Sequence, residues 1–129
     1  MAKTIALIFG IVYLLVGIVG FIPAFGGTLA MSPPSNLLGT FPINLLHNIV
    51  HLVIGVFGIA LSRTESGGAS FGKTFGIILI LIGIVGLFWP MSLNDSLLPL
   101  RGADVWLHIV TGLILAAVGF SSSRSAAVT

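Results

Sequence analysis

Cysteine is absent from the 129 residues and charge is nearly so, with five Lys or Arg and three Asp or Glu making up 6% of the chain. The first absence excludes disulfides, thiolate metal sites and cysteine nucleophiles together. The second excludes an ordinary soluble domain, in which about a quarter of residues are charged. The basic residues are scattered, so a pI of about 9.7 does not mark a nucleic-acid surface, and no nucleic-acid partner is expected. Phosphate-cradling glycine loops, nucleophile elbows and paired catalytic carboxylates are also missing. Glu65 and Asp95 sit alone in polar linkers, and no enzymatic activity is expected.

Apolar residues are what the chain has in quantity: 57% of the sequence, with a mean hydropathy of +1.21. At about 1.5 Å per residue, roughly 20 apolar residues cross a ~30 Å hydrocarbon core. Four such runs fill nearly the whole length: helix 1 over about 4–25, helix 2 over about 42–62, helix 3 over about 74–89 and helix 4 over about 104–120. Proline and glycine punctuate them. Pro23, Gly26 and Gly27 close helix 1, Pro42 suits a first turn, Pro90 ends helix 3 and Asp104 suits an N-cap. Residues 27–40 read as an irregular linker, 63–73 as a flexible polar turn and 121–129 as a disordered polar tail. The expectation is one all-α transmembrane domain over residues 1–129, a four-helix bundle embedded in the lipid bilayer. A basic residue ahead of an apolar run also starts a secretory signal. Helix 1, however, exceeds the ~7–15 residue core of such signals and recurs later in the chain.

That recurrence is the repeat of helix 1 in helix 3. Phe9 aligns with Phe75, Gly10 with Gly76, Leu15 with Leu81, and Gly17–Gly20 with Gly83–Gly86. Helices 2 and 4 echo one another through H-x-x-x-G, His51 with Gly55 and His108 with Gly112, a register that sets His47 opposite Asp104. The molecule therefore reads as two helical hairpins of one design, and two crossings per unit make the copies parallel. Lys3, Arg63, Lys73 and Arg124 fall at one end of the helices and only Arg101 at the other. This bias places both termini in the cytoplasm and the protein in the cell membrane. The His and Asp cluster then belongs to the outer leaflet.

Two features carry chemical weight. Gly10, Gly17 and Gly20, and again Gly76, Gly83 and Gly86, keep one stripe of each helix bare. Such stripes serve close helix packing inside the bundle, or contact with other membrane subunits or a second copy. The three histidines have three readings. Haem b or another tetrapyrrole would use His51 and His108 on facing helices. A metal such as zinc or copper would add His47 and Asp104. A structural polar cluster would hydrogen-bond the imidazoles to Asn44, Asn48 and Thr111. No C-x-x-C-H or H-E-x-x-H is present to choose among them.

The stretch LLGTFPINLLHNIVHLVIGVFGIA resembles the signature of an uncharacterised family of small bacterial membrane proteins with four helices. Asn44, His47, Asn48, Val50, His51 and Gly55 match its pattern N-x-x-H-N-x-V-H-x-x-x-G. Ala103, Asp104, Trp106, Leu107, His108 and Gly112 match the second, A-D-x-W-L-H-x-x-x-G. The family often has asparagine after that aspartate, where this chain has Val105. The resemblance implies the four-helix membrane fold and no activity. By elimination, the expected role is an accessory, assembly or scaffold subunit of a membrane complex. The alternative is tetrapyrrole or metal binding through His51 and His108.

Overall fold

A computed structural model describes residues 1–128, with side chains through residue 122. The main helices are α1 (Ala2–Val19), α2 (Leu45–Leu61), α3 (Glu65–Gly86) and α5 (Ala103–Val128). A short antiparallel hairpin, β1 (Ser35–Leu37) with β2 (Phe41–Ile43), lies between α1 and α2, and the six-residue α4 (Met91–Ser96) lies between α3 and α5. Helices α1, α3 and α5 are long and apolar enough to cross a membrane. At 17 residues α2 is shorter. Large apolar side chains such as Ile11, Leu15, Phe57, Leu81 and Val110 cover the outside of the bundle, the surface expected of a multi-pass membrane protein.

Glycine decides which helices pair. A Cβ added at Gly10 would lie 2.6 Å from Ile59 N, and one at Gly17 would lie 2.9 Å from Leu52 N. Gly20 is pressed against the Asn48 side chain. As α1 ascends α2 descends, so the two are antiparallel. Helices α3 and α5 pair in the same way: a Cβ at Gly76 would lie 2.5 Å from Ala116 N, and one at Gly83 3.2 Å from Ile109 N. Van der Waals contact between backbones replaces the hydrophobic drive that lipid cannot supply. Ala6, Tyr13, Ile54, Phe71, Leu79 and Leu115 form the buried centre. The bare stripes are therefore filled from within the chain and are not open to a partner subunit or a second copy.

Several element ends differ from the sequence reading. Helix α1 stops at Val19, because Ile22 is extended ahead of Pro23 and residues Pro23–Phe25 form a separate 3₁₀ turn. Pro42 lies in β2, and Asn44 opens α2 by accepting the His47 N–H at 2.9 Å. The supposed polar turn is mostly helix: Thr64 accepts from Gly67 N at 2.9 Å and α3 begins at Glu65. Gly68 interrupts nothing, since a Cβ there would lie 2.5 Å from the Ala2 carbonyl carbon. The α3 helix ends at Gly86, short of Trp89. The helical backbone of α5 runs on to Val128, past the expected end at Phe120. Thr129, and the side chains from residue 123 of the expected tail, lie outside the described residues.

Buried asparagines fasten the two linkers. Asn44 Nδ2 donates to Met31 O at 3.1 Å and to Leu97 O at 2.8 Å, joining both linkers to the start of α2. Asn94 Nδ2 donates to the Trp89 and Pro90 carbonyls, and its Oδ1 accepts from Leu100 N at 2.7 Å. Loss of a cap costs about 1 kcal/mol, and each buried carbonyl left unpaired costs about 1–3 kcal/mol. Asn44→Ala is thus expected to lose about 3–7 kcal/mol in reversible unfolding from mixed micelles. Asn44→Ser, which keeps the cap acceptor, should lose less. A loss under about 1 kcal/mol for the alanine variant would show that Asn44 does not fasten the linkers.

Candidate metal centre

The i, i+4 spacing of His47 and His51 puts both imidazoles on one face of α2, and their ring centroids are 4.5 Å apart. Helix α5 brings His108 across to them, 6.0 Å from His47 and 6.5 Å from His51 between centroids. One potential ligand nitrogen from each of the three histidines lies within 4.8 Å of the other two. The relative exposures are 3% for His47, 8% for His51 and 5% for His108. Of the four residues the sequence offers for a metal, the structure brings His47, His51 and His108 together.

Asp104 is not the N-cap of the last helix. Helix α5 begins one residue earlier, at Ala103, so Asp104 lies inside the first turn. Its Oδ2 is 3.3 Å from His108 Nδ1, one helical turn on. The two atoms are close without the alignment of a hydrogen bond, and neither has another partner. This side-chain pairing is what an i, i+4 spacing permits and what a capping role would prevent.

The hydrogen-bonding partners expected for the imidazoles are engaged elsewhere. Asn44 is held by the linkers, and Asn48 Nδ2 donates to Gly20 O at 2.7 Å and Thr28 O at 3.1 Å. Thr111 Oγ1 donates to Leu107 O at 2.7 Å and lies 3.4 Å from the Tyr13 hydroxyl. His47, His51 and His108 each keep a buried Nδ1 without a hydrogen-bond partner. The Pro42 and Pro99 carbonyls approach the His47 ring. Tyr13, the one tyrosine of the chain, packs edge-on against His51 at 5.2 Å. Sequence reasoning passes over it, although a single phenol inside an apolar helix is a signal of its own.

Two small spaces adjoin the rings. One of about 20 Å³ is bordered by His47, His51 and His108 together with Val50, Ile54 and Leu79. The other, of about 90 Å³, lies between α1 and α5, with Tyr13, His51, Asp104, His108 and Thr111 among its walls. A cavity of roughly 10–15 Å³ suffices for one water-sized occupant.

Over residues 3–121 the chain matches the family described as domain of unknown function DUF4383. No curated protein and no solved structure matches it. Because the match covers most of the chain, this protein belongs to that family.

Proposed function

We propose, for this member of a family without an assigned activity, that the protein holds one divalent transition metal between His47, His51 and His108. One observation carries the reading: three buried imidazoles converge, and among the described residues the Nδ1 atoms of His47 and His51 have no hydrogen-bond partner, while that of His108 faces Asp104 Oδ2 at 3.3 Å. A buried polar atom left unpaired costs about 1–3 kcal/mol, so a hydrogen-bonded structural cluster would be poorly built. A shared ion would remove that cost. With metal–nitrogen bonds of about 2.0–2.1 Å, tetrahedral donors stand about 3.3 Å apart. Small side-chain rotations close the 4.8 Å arrangement to that distance. Imidazole donors suit zinc or copper. Asp104 beside His108 Nδ1 resembles the carboxylate that orients a metal-bound histidine.

Space argues against a tetrapyrrole. The spaces adjoining His51 and His108, about 90 and 20 Å³, are far too small for a macrocycle. The glycine stripes lend the accessory-subunit reading no support, since they pack inside the chain, which leaves it resting on the absence of enzyme motifs. No reaction is assigned to the site.

The same reading takes α2 as a fourth crossing, its 17 residues sitting at the short end of the range that spans a bilayer. Both termini are taken as cytoplasmic, on the bias of Lys3, Arg63 and Lys73 against Arg101. The bundle is read as two copies of one hairpin, which corresponding contacts support. Gly10 meets Ile59 N and Gly55 O, and the equivalent Gly76 meets Ala116 N and Gly112 O. Likewise Gly55 meets Leu14 N and Gly112 meets Ile80 N.

Metal analysis of the full chain in mild detergent, after incubation with zinc or copper and gel filtration, tests the proposal. One equivalent per chain is expected. A stable, folded protein that emerges free of metal would rule the site out.

A further inference from the structure

We infer that the metal centre keeps one coordination position open and that this position takes a small monoanion, hydroxide or its equivalent, through the cavity between α1 and α5. The inference rests on the metal-binding reading above and adds a ligand to it.

The donor set comes first. Three histidines converge, and Asp104 stands against His108 Nδ1 at 3.3 Å, oriented toward a ligand and not among the converging donors. Three protein donors around an ion that prefers four leave an open site. Direction follows from the ring spacings. The gap between His51 and His108, 6.5 Å between centroids, is wider than the 4.5 and 6.0 Å of the other pairs. Those two rings also border both spaces, the one enclosed by all three histidines and the larger one of about 90 Å³. An incoming ligand therefore meets the ion between His51 and His108.

Charge names the ligand class. A divalent ion, three neutral imidazoles and one carboxylate leave a single uncompensated positive charge inside an apolar bundle. An unpaired charge there is costly, and a monoanion at the open position cancels it. The larger space, of about 90 Å³, admits a few water-sized molecules at most, so the ligand must be small. Phe9, Val12, Val16 and Leu107 make much of the cavity wall apolar, with the Tyr13 and Thr111 hydroxyls as its neutral polar groups. Val12 and Leu107, both about half exposed, flank the mouth of this space on α1 and α5.

The test is the visible spectrum of the full chain loaded with Co(II) in chloride-free detergent buffer, titrated with azide against sulfate, a bulky and weakly coordinating anion, as the ionic-strength control. A saturable change in the ligand-field bands is expected with azide. Leu107→Trp and Val12→Trp, which enlarge lipid-facing side chains at the cavity mouth, should keep Co(II) and weaken the azide response at least tenfold. Two variants on different helices guard against one misfolding. Co(II) bound with a spectrum indifferent to azide would overturn the open position while leaving the metal site standing. An undiminished azide response in both folded variants would overturn the route and the cavity assignment. Failure to take up Co(II) at all would overturn the metal reading and this inference with it.

Discussion

His108→Ala is expected to bring the metal content of the purified protein from one equivalent per chain to a trace, an affinity loss of at least about 100-fold, since second-shell losses alone reach 10–100-fold. The reason is geometric. The donor nitrogens lie within 4.8 Å of one another and come from two helices, so removing His108 leaves two imidazoles on α2 and no donor from α5. His47→Ala and His51→Ala should fail to the same degree, because all three donors surround one point. Asp104→Asn should weaken binding by about 10–100-fold without abolishing it, as expected of an orienting carboxylate. Competition with a chromophoric chelator gives each affinity. Wild-type affinity in any of the three histidine variants would exclude a shared ion.

The second large effect concerns the helix contacts. Gly76→Val is expected to unfold the bundle or to cost well over 3 kcal/mol, beyond the ~1–3 kcal/mol of ordinary overpacking. A Cβ at Gly76 would meet Ala116 N at 2.5 Å and Gly112 O at 2.9 Å. Both are backbone atoms, which cannot turn aside. Gly10→Val should behave alike, since its nearest neighbours, at 2.6 and 2.8 Å, are also backbone atoms of the facing helix. Gly86→Ala is the control. Its nearest neighbour is the Val105 side chain at 3.0 Å, which can shift slightly, and a cost under about 1 kcal/mol is expected. Equal thermal midpoints for Gly76→Val and wild type in detergent would refute the backbone-contact account.

The glycine stripes were legible because steps of three and seven return to one helix face, a property of the chain alone. The partner of each stripe was not legible, since it depends on how helices dock. The His47 and His51 pairing was equally readable from its spacing of four, and His108 from its shared H-x-x-x-G pattern, whereas the pairing of Asp104 with His108 and the place of Tyr13 beside His51 required the packed helices. Residues 64–68 misled for a definable reason. Gly67 and Gly68 have poor helix propensity, but close packing against Ala2 and Lys3 requires a glycine at 68 and overrides it. Strands of three residues leave no period to detect. The turn joining β1 and β2 uses Leu38 at φ 53° beside Gly39 at φ 73°, and leucine rarely adopts such a backbone.

Val105 stands where the register of the first hairpin has Asn48. Asn48 reaches back to the Gly20 and Thr28 carbonyls, while Val105 presents only a methyl to Gly86. The linkers after α1 and after α3 are thus held by different means. The first is laced by side-chain amides from the start of α2. The second relies on Asn94 within its loop, and Asn44 reaches over from the first half to Leu97 O. Asn44 is the amide that ties one linker to the other, so damage there should loosen both, whereas damage at Asn48 should stay with the first linker.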